Sequence, residues 1–141
     1  MSGRALGVDP GTVRIGLALS DELGITAQPL ETLECVGPKK DLNRIVQIAQ
    51  QHGAAAIVIG LPLLMSGEDG AAATASREMA EGLRRRTQGI EIILWDERLT
   101  TVAAERTMLE ADVRRGRRKQ KVDALAAVLI LQGWLDAQSS L

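Results

Sequence analysis

The sequence contains no phenylalanine and no tyrosine, and its indole rings number two, Trp95 and Trp134. Unpaired bases are held by stacking on such rings, so the chain has almost nothing with which to grip a splayed single strand. Trp95, closing an apolar run, reads as packing rather than as a platform. Cysteine and histidine occur once each, at Cys35 and His52. One thiol closes no internal disulfide, and a single thiol and imidazole far apart in sequence make no zinc site. His52 stands before Gly53 at the end of a helical pattern, where it complements the helix dipole at the surface. Long apolar runs are missing too. The longest, 124–131, is far short of the roughly twenty residues that span a bilayer, and the first twenty residues lack the basic-then-apolar pattern of a secretory signal. Repeats, low-complexity tracts and Pro/Gly/Ser linkers are not found either. The expectation is one domain over 1–141, cytoplasmic and without a membrane partner.

Lys and Arg total 17 against 18 Asp and Glu, a formal net charge of −1, so the overall charge announces no polyanionic partner. The distribution says more. Arg114, Arg115, Arg117, Arg118, Lys119 and Lys121 place six cations in eight residues, RRGRRKQK. Such a run repels itself unless an anion is near, and phosphate contacts of this kind supply most non-specific affinity for nucleic acid. The triplet Arg84, Arg85 and Arg86 ends a helical pattern and reads as a solvated face that complements the C-terminal dipole.

Apolar patterning predicts strands over 5–8, 14–19 and 29–33, joined by turns at Pro10-Gly11 and around Leu23-Gly24. A helix follows from Asp41 to a capping Gly53, then an apolar strand over 56–59 and a loop over 60–70. Helices are expected over 71–86, 101–111 and 122–135, with a strand over 90–95 before the second of them. The fold class is therefore α/β: a five-stranded mixed sheet in the order βββαβαβαα, flanked by helices. An antiparallel meander enters a sheet completed by right-handed βαβ crossovers.

Three acidic positions fall at element ends: Asp9 after the first strand, Asp96 and Glu97 after the last, and Asp123 at the start of the final helix. Ligands of α/β sheets gather at the carboxyl ends of parallel strands, so Asp9 and the Asp96-Glu97 pair converge if the first and last strands point the same way. Oxygen-only donors suit hard cations such as Mg²⁺ or Mn²⁺. Each acid also has a structural alternative. Asp9 can cap its own turn, Asp123 can be an N-terminal capping anion, and Glu97 can pair with Arg98 or Arg106. The helix behind Asp123 is apolar nearly all round, which favours burial and a need for a partner.

Four segments in order, DPGTVRIGLALSD (9–21), IGLP (59–62) with a Gly-rich loop, DERLTTVAAE (96–105) and KVDALAAVLILQ (121–132), carry a resemblance across nearly the whole chain. Together they resemble the YqgF/RuvX family of ribonuclease H-like nucleases. The resemblance implies a ribonuclease H-like fold and hydrolysis of phosphodiester bonds. The family is associated with two substrates, the 5′ end of precursor 16S ribosomal RNA and Holliday-type DNA junctions. Its acidic triad falls here on Asp9, Glu97 and Asp123. That triad implies two divalent ions about 3.5–4 Å apart, bridged by Asp9, with Glu97 and Asp123 each holding one. Asp96 is expected to orient the strand end or Arg98. Thr12, Arg14, Arg98, Thr100 and Thr101, with the basic run, are the candidate phosphate contacts, because hydroxyls, guanidinium groups and helix-start amides serve that purpose.

The loop LPLLMSGEDG departs from the family, with Leu64 and Ser66 where many relatives carry Asn and Asp. Glu68 and Asp69 read as helix-start acids, and Leu63, Leu64 and Met65 as an apolar patch that is core, lid or self-association surface. Two other classes stay open. A non-catalytic ribosome- or junction-binding factor would keep the fold without turnover. An actin-like or kinase-type nucleotide binder shares the DPGT hairpin, but those proteins hold nucleotide between two such domains. Cutting both strands of a symmetric junction favours a homodimer, although no residue marks an interface.

Overall fold

The computed structural model describes residues 3–99 and 119–139; for 119–123 it describes the backbone. In chain order the elements are β1 (Arg4–Asp9), β2 (Arg14–Ser20), β3 (Ala27–Glu34), α1 (Pro38–Gln51), β4 (Ala54–Leu61), α2 (Ala71–Arg86) and β5 (Glu91–Asp96). A 3₁₀ turn, Glu97–Leu99, and a long helix α3, Lys119–Ser139, complete them. The helix expected over 101–111 lies outside the described residues.

The five strands form one mixed sheet in the order β3-β2-β1-β4-β5. β1, β2 and β3 are the antiparallel meander, while β4 pairs parallel with β1 and β5 parallel with β4. The first and last strands therefore do point the same way. Side chains of a strand alternate between faces. Leu6, Val8, Ile57 and Ile59 accordingly pack towards α1 and α2, with Ile45 and Leu83. Ala5, Ala18, Ala56 and Val58 pack towards α3, with Ala127, Ile130, Leu131 and Trp134. Each fully buried Leu or Ile in these layers contributes about 1.5–3 kcal/mol.

Turn chemistry sets the ends. The Asp21 carboxylate accepts the backbone N–H of Ile25 at 2.7 Å and of Thr26 at 3.3 Å, and these bonds hold its carboxyl below the usual range. Helix α1 begins at Pro38, three residues before the sequence reading placed it. Proline suits the first helical turn, and Asp41 reaches back to the N–H groups of Val36 and Gly37. Gly11 is fixed by sterics, because a Cβ there would run into the Arg14 carbonyl oxygen. Replacing Gly11 with Ala is expected to open the 10–13 turn and lower the melting temperature, measurable by circular dichroism.

Two boundaries correct the sequence reading. β4 runs to Leu61, so Gly60 is a strand residue and not the start of a loop. α3 begins at Lys119, so Lys119 and Lys121 lie in its first turn and not in a basic loop. Asp123 is consequently the fifth helical residue, beyond the reach of an N-terminal cap, and no acidic residue occupies the first turn. Among the described residues, no helix is long and apolar enough to cross a membrane.

Candidate active site

The site is built on small residues. Beneath α3 the sheet presents Ala5, Gly7 and Asp9 from β1, and Ala56, Val58 and Gly60 from β4, one face of two alternating strands. A Cβ on Gly7 would stand 2.7 Å from Leu131 Cβ and 3.0 Å from the Ala127 carbonyl oxygen. α3 therefore rests directly on the β1 backbone. Its direction is set by Gln132, whose side chain accepts from Ala27 N–H at 2.9 Å and donates to the Ile25 carbonyl at 2.9 Å. That bond fastens the later part of α3 to the β2–β3 hairpin, beside the amino end of β1. The earlier part points to the carboxyl end, where Asp9 stands. Asp123 lies four residues before Ala127, about 6 Å further along the axis towards that end.

Asp9 is 5% exposed and Glu97 4%, two carboxylates sunk at the ends of β1 and β5. Buried carboxylates persist only with partners or a cation. Val8 pairs with Ile59, so Asp9 and Gly60 come one step further along both strands, and Gly60 pairs with Trp95. The 3₁₀ turn then brings Glu97 back over the sheet, placing its Oε2 2.8 Å from where a Gly60 Cβ would stand. Asp96 shapes that turn. Its carboxylate accepts the backbone N–H of Arg98 at 2.9 Å, and the Arg98 guanidinium closes on it through Nε (3.1 and 3.2 Å) and Nη2 (2.8 Å). The Asp96 role of orienting Arg98 thus has a geometric basis. Arg98 Nη1 takes no part in this fork and lies against Gly67 of the loop after β4.

The Arg98 guanidinium, then its backbone N–H, holds the Asp96 carboxyl below the usual carboxylate range. The stability from this pair is therefore present above the ordinary pKa of about 3.9 and is lost as pH falls through the lowered folded value. Asp96→Asn is expected to melt a few degrees below the parent protein at pH 7. The two melting curves should converge in acid.

The other candidates are scattered. Alternation puts Arg14 on the Asp9 side of the sheet. Its Nε is buried, 3.5 Å from Glu34, and has no hydrogen-bond partner among the described residues. Thr12 lines a groove of about 430 Å³ on the α1/α2 side, with Ile15, Leu42 and Met79. Thr100, Thr101, Arg114, Arg115, Arg117 and Arg118 lie outside the described residues. Arg84 and Arg86 hold Glu81 and Asn43, as a structural helix end would. Asp69 is no helix-start acid: it forms a two-bond pair with Arg77, and Gly70 caps α2. In the patch Leu64 folds against Gly70 while Met65, 94% exposed, forms the tip. Gly7 and Gly60 were the residues missed by the sequence reading; the available signal was a glycine inside an apolar strand, which marks a close approach.

The donor set fits a hard divalent cation, since Asp9 and Glu97 offer buried carboxylate oxygen and no sulfur or imidazole competes. Among the described residues no three His, Cys, Asp or Glu side chains gather into a metal cluster. Asp9 and Glu97 are two such groups, and the Asp123 side chain lies outside the description.

A parallel β1-β4-β5 core joined to an antiparallel meander, with acids at the strand ends beside a closing helix, is the ribonuclease H-like fold. Solved structures agree on the fold. A Thermus thermophilus RuvC bound to a Holliday junction superposes with a TM-score of 0.60 at 17% identity, covering 97% of this chain and 96% of that one. The fowlpox virus resolvase bound to Holliday junction DNA gives 0.54 at 11%, covering 96% and 98%.

Within that class the chain belongs to the RuvX family, whose model, described as Holliday junction resolvase, matches residues 3–137. A Myxococcus xanthus protein, named provisionally as a pre-16S rRNA nuclease, is 50% identical over 134 residues, 95% of this chain and 88% of that protein. A Bacillus cytotoxicus protein of the same name is 47% identical over 138 residues, 96% and 99%. The family is one of nucleases, hydrolases of phosphodiester bonds.

Proposed function

We propose that this chain cleaves the backbone of structured nucleic acid with Asp9, Glu97 and Asp123 as its catalytic carboxylates, holding Mg²⁺ or Mn²⁺. The observation that carries the reading is the pair of buried acids, Asp9 and Glu97, at the same end of two parallel strands, with the Glu97 carboxylate lying over Gly60 of the strand between them. Bound divalent cations supply a water of lowered pKa and a Lewis acid at the phosphate. The chain's own part is to fix ionised oxygens on a rigid sheet and to bring in the scissile phosphate. Arg14, on the Asp9 side, and Arg98, steadied by Asp96, suit phosphate oxygens beside the carboxylates. Thr100 and Thr101 are further contacts in this reading, Thr12 facing the α1/α2 groove instead, and the basic run from Arg114 to Lys121 grips the backbone more widely.

The chain's two indoles support a structured substrate. Trp134 is buried and Trp95 packs on the same layer under α3, so neither is offered to unpaired bases. The names of the relatives suggest precursor 16S rRNA, and the family description suggests a four-way DNA junction. Symmetric cleavage of a junction would call for two copies of the chain.

Purified protein with Mg²⁺ or Mn²⁺ should cut a precursor-rRNA fragment or a four-way junction in preference to single strands. Glu97→Gln and Asp123→Asn should each abolish the cut, and chelation should do the same. Cleavage that survives Glu97→Gln would sink the proposed site. Tight binding without turnover in any metal would instead establish the non-catalytic binder.

A further inference from the structure

β1 and β5 are not neighbours. β4 lies between them, and strands stand about 4.8 Å apart, so an acid at the end of β5 begins on the order of 10 Å from one at the end of β1. The Glu97 carboxylate crosses part of that gap over β4, and the β4 residue it crosses is Gly60. The same empty place seats α3. A Gly60 Cβ would lie 2.5 Å from Ile130 Cδ1 as well as 2.8 Å from Glu97 Oε2. Ile130 is seven residues, two helical turns, beyond Asp123. One missing side chain thus sets both the reach of Glu97 and the approach of the helix that carries Asp123.

We propose that Gly60 is a positioning residue: by presenting no side chain it leaves the seat in which the Glu97 carboxylate reaches across β4, towards the strand that carries Asp9. Nothing in its backbone asks for glycine. Its φ is not in the left-handed region, and both neighbours in the strand, Ile59 and Leu61, carry large side chains. The requirement comes from the groups above it. An alanine methyl would displace the carboxylate, which ends a flexible side chain, and would push Ile130 as well. Those two displacements can be separated, because trimming Ile130 to Val removes the Cδ1 clash, leaving a tighter-than-usual 3.2 Å contact with Cγ1, and leaves the Glu97 clash in place.

The inference rests on the reading of Asp9 and Glu97 as metal ligands, and its test uses Mn²⁺ alone, followed by calorimetry, with thermal melting alongside. Gly60→Ala is expected to weaken Mn²⁺ binding by about tenfold or more and to lower the melting temperature. Adding Ile130→Val should recover part of the lost melting temperature but none of the Mn²⁺ affinity. Mn²⁺ affinity within twofold of the parent protein in Gly60→Ala, or its recovery together with stability on adding Ile130→Val, overturns the positioning role. If Asp9→Asn and Glu97→Gln lose Mn²⁺ in the same experiment, only the Gly60 inference falls. If those two variants bind Mn²⁺ as tightly as the parent protein, or if the parent protein binds none, the reading beneath it falls too.

Discussion

Asp9→Asn is expected to reduce metal-dependent cleavage by on the order of 10³-fold. In the proposed site Asp9 would hold the divalent cation, whose charge stabilisation at the reacting phosphate would be worth several kcal/mol, and each 1.36 kcal/mol is tenfold in rate. The substitution keeps the shape of a side chain that is 5% exposed, so the sheet should stay intact and the far-UV spectrum unchanged. The loss should fall on kcat with little change in the affinity for nucleic acid, because the phosphate contacts proposed above are other residues. Single-turnover kinetics on a labelled four-way junction and on a precursor-rRNA fragment would separate these terms. An Asp9→Asn protein that turns over at the parent rate would move the chemistry away from the strand end. An Asp9→Asn protein that loses both binding and fold would make Asp9 a structural residue.

Gly7→Ala is expected to be the most damaging single-methyl change in the sheet. Its Cβ would meet Leu131 Cβ at 2.7 Å and the Ala127 carbonyl at 3.0 Å, and neither is the free end of a side chain. The helix must lift or tilt. Overpacking of this kind costs about 2–3 kcal/mol, and for a chain of 141 residues that is a fall of roughly 7–10 °C in Tm. Activity should fall further than stability explains, even at a temperature where the variant is fully folded. Asp123 rides on the displaced helix, one turn before Ala127. Thermal melts combined with assays well below the transition would show both effects, and full activity in a folded Gly7→Ala protein would contradict the seating of α3 described above.

Much of this could be read from the residues. The meander, the apolar β4 and β5, and the span of α2 follow from periodicity and turn chemistry, and the parallel sense of β1 and β5 follows from the crossovers. The acids Asp9 and Glu97 were legible as strand-end carboxylates. Depth was harder to read. Asp123 looked like a cap because Lys119, Gln120 and Lys121 seemed part of a charged loop, whereas lysine and glutamine are good helix formers and extend α3 by a turn. Gly60 looked like a loop residue because glycine usually breaks strands. Its reason for being glycine lies in Ile130 and Glu97, far away in sequence, and local pattern carries no trace of them. Asp69 was misread in the same way: its partner Arg77 sits two turns into the helix, out of view of a rule about helix starts.

The layer beneath α3 has an optical consequence. Trp134 belongs to it and Trp95 packs against it, while the chain has no tyrosine at all. Every photon of intrinsic emission therefore originates on the carboxylate-bearing side of the sheet, and the α1/α2 side is dark. A red shift in that emission without loss of the far-UV signal would report undocking of α3 alone, a movement that no label need be added to see.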